Sequence, residues 1–168
     1  MKNINPEQLS STYDIRKLTM EDVDRIYAFC AGNTQYYEYC GKDISVELIE
    51  NDLTVVPPGI PMGQKYYVGF FDKSKLVAIM DLVDGYPDQD TAYIGFFMMN
   101  HELQGVGIGS KIVSEVLQYL HEIDFKHCRL GIDKHNPQSN HFWKKNGFEI
   151  IREVTLETGT VLVAERQL

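Results

Sequence analysis

One stretch, Thr91 to Leu120, restricts this chain more than any other, because it must become a strand, a glycine-rich turn and a long helix in immediate succession. Ile94 to Met99 is an apolar run of strand type, and Gln104-Gly105-Val106-Gly107-Ile108-Gly109 then places glycine on alternate positions where the strand has to turn. Beyond the turn, Ile108, Ile112, Val113, Val116, Leu117 and Leu120 recur on one helical face, with Lys111, Ser114, Glu115 and Gln118 on the other. Glycine lets main-chain N–H groups approach a ligand closely. The first turn of the following helix has unpaired N–H groups and the positive end of the peptide dipole, so a phosphate or pyrophosphate is stabilised by the main chain from Gln104 to Ser110.

Two common phosphate motifs fail on these letters. A dinucleotide fingerprint needs glycine three residues after Gly107, where the chain has Ser110, and a P-loop needs Gly-Lys-Ser/Thr where the order is Gly109-Ser110-Lys111. The pattern Gln/Arg-x-x-Gly-x-Gly/Ala does fit, at Gln104, Gly107 and Gly109. It resembles the acetyl-coenzyme A signature of the GNAT-type N-acetyltransferases. A second match follows downstream: the apolar run Cys128-Arg129-Leu130-Gly131-Ile132, then Asn136, then Ser139-Asn140-His141-Phe142-Trp143-Lys144-Lys145-Asn146-Gly147-Phe148. This is similar to the family's later segment, in which a strand leads to an asparagine and a short helix ending in aromatic-x-x-x-Gly-Phe.

The rest of the chain accommodates that pattern. Tyr13 to Leu18 reads as a strand, Thr19 caps a helix carrying Met20, Val23, Ile26, Tyr27 and Cys30, and Ser45 caps another through about Leu53 that Pro57, Pro58 and Pro61 stop. Between them, Ala31 to Asp43 is polar and tyrosine-rich without periodicity. Three runs rich in β-branched and aromatic residues, Lys65 to Phe71, Leu76 to Val83 and Ala92 to Met99, are separated by short polar loops and predict an antiparallel meander. Further strands are expected at Phe148 to Val154 and Val161 to Glu165. Together with the resemblance, this implies an α/β (α+β) fold: a mixed, mostly antiparallel sheet of about six to seven strands flanked by about four helices.

With 168 residues and no low-complexity stretch to divide it, the chain reads as a single domain, residues 1–168. No apolar run approaches the roughly 20 residues a membrane helix needs. Met1 to Ser10 is polar, and Cys30, Cys40 and Cys128 are odd in number and widely spaced, which fits a cytoplasmic protein with reduced thiols better than export, disulfides or a zinc site. The formal charge of −8 argues against nucleic acid and acidic membranes as partners and for a cationic one, with acidity for solubility alone an equally weighted reading. The oligomeric state stays open, a homodimer included.

Acyl transfer from a thioester to an amine needs a held donor, an amine without its extra proton, and hydrogen-bond donors for the charge that develops on the thioester oxygen. The main chain of Gln104, Gly105, Val106, Gly107, Ile108, Gly109 and Ser110 is assigned to the pyrophosphate. The resemblance implies that the pantetheine arm lies along the strand edge at Phe97, Met98 and Met99, where two strands of the family part and the arm pairs as an added strand would. Asn136 and Asn140 are then contacts to arm or nucleotide, or else a turn residue and a helix cap. Trp143 stands where the family often has a tyrosine thought to protonate the leaving thiolate. An indole N–H does not titrate usefully. A thiol of pKa about 8.5 can leave without it, so Trp143 either walls the thioester or belongs to the core.

No carboxylate lies between Thr91 and Met99, so a base has to come from elsewhere. Asp81, inside the apolar run Leu76 to Val83, is the candidate catalytic base, with His101, Glu102, Asp133 or a chain of water as alternatives and a solvent-facing aspartate as the plain reading. For the acceptor, the family layout implies the loop between the first two helices, where the rings of Tyr36, Tyr37 and Tyr39 and the carboxylate of Glu38 can hold an amine or ammonium, joined by Tyr66 and Tyr67, with ordinary packing and surface tyrosines an equally weighted reading. These expectations amount to an acetyl-coenzyme A dependent N-acetyltransferase acting on a primary amine without a metal. A non-catalytic acyl-coenzyme A binding module is the alternative, and a nucleotide-phosphate binding protein a weaker third.

Overall fold

Seven strands, β1 (Asp14–Lys17), β2 (Lys65–Asp72), β3 (Lys75–Asp84), β4 (Thr91–Met99), β5 (His127–Asp133), β6 (Glu149–Leu156) and β7 (Gly159–Gln167), form one sheet in the order β1-β2-β3-β4-β5-β7-β6 in the computed structural model, which describes residues 1–168. Every neighbouring pair is antiparallel except β4 and β5. The exception follows from the chain path, because β4 reaches β5 through a helix and not a hairpin. The helices are α1 (Val23–Ala31), α2 (Thr34–Cys40), α3 (Val46–Thr54), α4 (Ile108–Glu122) and α5 (Pro137–Lys145). None is long and apolar enough to cross a membrane.

Both faces of the sheet are covered. The two-residue period of β3 sends Met80 and Leu82 into a core with Ile112, Val116 and Leu120 of α4 and Trp143 of α5. It sends Ile79 the other way, to Ile26 of α1, Tyr37 of α2, and Ile49 and Leu53 of α3. Burial on two sides explains why β3 is apolar almost without alternation. Each fully buried Leu or Ile contributes about 1.5–3 kcal/mol, so these two cores hold the helices in place.

Two irregularities prepare the site. β4 and β5 pair only from Thr91 and His127 to Ile94 and Leu130, after which both continue and part. Across β3, Asp81 faces Phe96 while Leu82 faces Ile94, which leaves Gly95 as the extra residue of a β-bulge in β4.

The tyrosine-rich segment differs from expectation, since α2 makes a fifth helix there. It is only 7 residues long and ends at Gly41 in a left-handed conformation with φ 65°. A single short helix held by tertiary packing of Tyr37 leaves too few turns for a periodic signal. Thr19, for its part, caps a 3-10 turn from Met20 to Asp22, and α1 begins only at Val23.

Candidate active site

The turn between β4 and α4 is open to solvent. Gly105 and Gly107 sit at φ 79° and 86°, a region that side chains other than glycine rarely adopt, and nothing stands within 4 Å of the position a β-carbon would take at either. From Gly105 to Ser110 no main-chain N–H has an acceptor in the protein, and the first helical bond is Lys111 N–H to Gly107 O at 3.1 Å. Gly109 serves another purpose. A β-carbon there would lie 3.2 Å from Met99 Cγ and 3.3 Å from Phe142 Cε2, so its absence lets α4 close on β4 and α5.

A cleft of about 580 Å³ leads from this turn along β4. Of the residues assigned to the donor, Phe97, Met98, Met99, Asn136 and Trp143 line it, as do Gln104, Gly105, Gly107, Gly109 and Ser110 from the turn. The edge of β4 is partly available. Asn100 N–H points back to β3, donating to Val77 O at 2.8 Å, so antiparallel alternation turns the N–H and C=O groups of Met99 and Phe97 toward the gap between β4 and β5. Met99 O is already engaged, because the buried Asn33 donates to it from Nδ2 at 3.2 Å. Asn33 Oδ1 in turn accepts from Gln104 Nε2 at 2.6 Å, tying the turn to the start of α2. Sequence reasoning missed Asn33 because it belongs to the helix that periodicity did not reveal.

The side chains of three assigned residues do not line the cleft, although the main-chain N–H groups of Val106 and Ile108 stay in the open turn. Val106 is 72% exposed and outside the cleft, and the Ile108 side chain packs against the core instead. The amide of Asn140 is directed at the main chain, donating to Asn136 O at 2.9 Å and Asp133 O at 3.2 Å, so it clamps the loop before α5. Asn136 caps α5 by accepting from Ser139 N–H at 3.0 Å and also lines the cleft. Trp143 is likewise both, 6% exposed and packed against the rings of Phe97, Phe142 and Phe148, with one side bordering the cleft.

On the opposite face of the sheet a second cavity, of about 260 Å³, lies under α2 and α3, and Tyr36 lines both spaces. Asp81 is on its wall. It is buried, not solvent-facing, with Oδ2 accepting from Lys65 Nζ at 2.6 Å and Oδ1 unpartnered. Burial pushes the Asp81 carboxyl above the ordinary aspartate value, and the Lys65 ammonium only partly offsets this. Tyr37, Tyr67 and Asp52 line the same cavity. Glu38 does not. It is exposed on the outer side of α2, because the turn that brings Tyr37 and Cys40 inward rotates Glu38 to solvent. Of the other basic groups considered, His101 borders the first cleft, Glu102 is exposed and paired with Lys75 at 3.2 Å, and Asp133 borders the second cavity with Oδ1 accepting from His135 N–H at 2.8 Å.

The acetyltransferase (GNAT) family model matches residues 22–148. The chain belongs to that family. No curated protein sequence matches the chain. Among solved structures, an acetyltransferase from Thermus thermophilus is similar at 21% identity over 94% of this chain and 97% of that one, with a TM-score of 0.75. The PaiA N-acetyltransferase from Thermoplasma acidophilum, solved in complex with coenzyme A, is similar at 18% identity over 92% and 98%, with a TM-score of 0.65. An acetyltransferase from Salmonella typhimurium that modifies the N-terminal serine of ribosomal protein L7/L12 is similar at 16% over 95% and 97%, with a TM-score of 0.71. At these identities the likeness is one of fold. The chain thus has a turn of unpartnered amides opening onto one cleft and a separate carboxylate-bearing cavity, with Tyr36 lining both.

Proposed function

We propose that the protein transfers an acetyl group from acetyl-coenzyme A to a primary amine. The observation that carries this reading is the row of unpartnered amides from Gly105 to Ser110, which opens onto a cleft running to the gap between β4 and β5. Those amides hold the pyrophosphate, with the positive end of α4 behind them. The free main-chain groups of Phe97 and the Met99 N–H receive the pantetheine arm. The acyl group then lies near the bulge at Gly95, with Tyr36 standing between donor cleft and acceptor cavity.

In the reaction the amine nitrogen attacks the thioester carbonyl carbon, a C–N bond forms, the C–S bond breaks, and the proton lost by nitrogen balances the one finally gained by the thiolate. Asp81 Oδ1, unpartnered and raised in basicity by burial, is the carboxylate placed to accept the nitrogen's proton. Burial drives the Tyr36 phenol well above its ordinary value, which makes it a proton donor only with difficulty. Trp143 has no titrating group, so the thiolate takes its proton from water.

Thiol release measured over a broad panel of amines tests this reading. Release well above hydrolysis with at least one amine is expected. Tight acetyl-coenzyme A binding with no amine raising release would favour a non-catalytic acyl-coenzyme A binding module, to which the presence of Trp143 in place of a tyrosine lends support.

A further inference from the structure

The 260 Å³ cavity concentrates the unmet hydrogen-bonding capacity of the molecule. Asp81 Oδ1 and Tyr67 Oη are buried there without any partner, in residues only 8% and 2% exposed. Asp52 of α3 lines the same space, half-buried, and no hydrogen bond or ion pair reaches its carboxylate. The ammonium buried alongside, Lys65, is committed to Asp81 Oδ2 and lies 5.6 Å from the centre of the Tyr67 ring. Lys42 reaches the cavity only from its exposed rim. One wall is aromatic, with Tyr67 stacked on Phe96 at 6.4 Å and Tyr36 edge-on to Phe96 at 5.8 Å, while Thr158, Thr160 and Val161 of the β6–β7 hairpin line another.

These groups call for a ligand that brings N–H donors and positive charge at two points. Asp133, the third carboxylate of the cavity, already accepts from His135 N–H at 2.8 Å. A single nitrogen gripped by Asp52 and Asp81 together would be held as ammonium and could not attack, because opposite charges at contact distance favour the protonated form. The carboxylate on α3 therefore serves a different nitrogen from the one beside Asp81. Aromatic faces suit an alkylammonium. The volume, at about 30 Å³ for one water, suits a chain of a few carbons.

Resting on the amine-acceptor reading above, we infer that the acceptor is a short unbranched alkyl diamine. One nitrogen lies beside Asp81 Oδ1 and the Gly95 bulge for transfer. The second is held as ammonium by Asp52, and the chain between them runs along Tyr36, Tyr67 and Phe96. Tyr67 Oη accepts a hydrogen bond from one of the two.

Calorimetry on the coenzyme A-bound protein with three probes of equal chain length tests this: 1,4-diaminobutane, butylamine and 4-aminobutyrate, whose far ends are positive, neutral and negative. The diamine is expected to bind about tenfold or more tightly than butylamine, with 4-aminobutyrate weakest. Asp52→Asn should abolish the diamine's advantage, its coenzyme A affinity and unfolding temperature reporting that the fold survives. Absence of diamine binding, preference for 4-aminobutyrate through Lys42, or a diamine advantage that survives Asp52→Asn would each overturn the inference. Thiol release separates the two claims. Diamine binding without transfer leaves the site standing and removes the transferase, whereas transfer to another amine with no diamine binding does the reverse.

Discussion

Asp81 and Gly95 fit only together: a β-carbon at Gly95 would lie 2.6 Å from Asp81 Oδ2, so the buried carboxylate is admitted only because β4 carries no side chain at its bulge. Gly95→Ala should therefore push Asp81 off Lys65 and destabilise the protein by about 1–3 kcal/mol, in the range of other overpacking changes. In a Lys65→Met/Asp81→Ala background the same substitution should cost almost nothing. Denaturant unfolding of the four proteins measures the coupling, and equal costs in both backgrounds would show that the contact is not what makes Gly95 necessary.

Gly107 is constrained by its backbone and not by its neighbours, since φ is 86° with open space around the missing β-carbon. Gly107→Val is expected to cost about 1–2 kcal/mol of stability through the left-handed conformation while leaving the protein folded. The loss of close main-chain approach should weaken coenzyme A by about tenfold or more. Calorimetry on the folded variant reads this directly. Unchanged affinity would mean that the pyrophosphate lies elsewhere.

Asn33 joins the β4 edge to the glycine turn through Met99 O and Gln104. Asn33→Ala leaves a buried carbonyl without its donor, at a cost of about 1–3 kcal/mol. Because the lost contacts position the donor and not the reacting atoms, KM for acetyl-coenzyme A should rise with kcat changing less. Steady-state kinetics with the amine that proves active would show this split, and a fall in kcat alone would count against it.

Glu115 ties the chain's start to α4, accepting hydrogen bonds from Ser10, from Ser11 at 3.2 Å and from Thr12 at 2.6 Å. Partial burial acts to raise its carboxyl, but the three hydroxyls and Lys111 outweigh this and hold it below the ordinary value of 4.5. A depressed folded value means that the stabilisation is complete above the ordinary value and is lost as pH falls through the folded one. The stability gap between wild type and Glu115→Gln, about 1 kcal/mol or less after solvent screening, should thus be full near neutrality and close in acid. Urea unfolding across that pH range checks it, and a gap constant into acid would remove the carboxylate from the account.

Much of the glycine turn and the cleft beside it is legible because it is local. The alternate glycines, the amphipathic face from Ile112 to Leu120 and the capping Asn136 each act within a few residues of themselves, so periodicity and turn chemistry report them. The second cavity is not. Tyr36 lines both spaces, yet Glu38, two residues on in the same tyrosine-rich segment, faces water. Asp81 stands out as a charge in an apolar run, but nothing in that run announces Lys65 as its partner 16 residues earlier.

Sequence alone determined the strand, glycine turn and helix from Thr91 to Leu120, because backbone conformation there follows from the residues themselves. Tertiary structure alone decided that Asp52, Lys65, Tyr67 and Asp81 meet beneath α2 and α3 beside the Gly95 bulge. Their meeting depends on sheet order, strand register and helix packing, which are set by the cooperative burial of two cores and by no single segment.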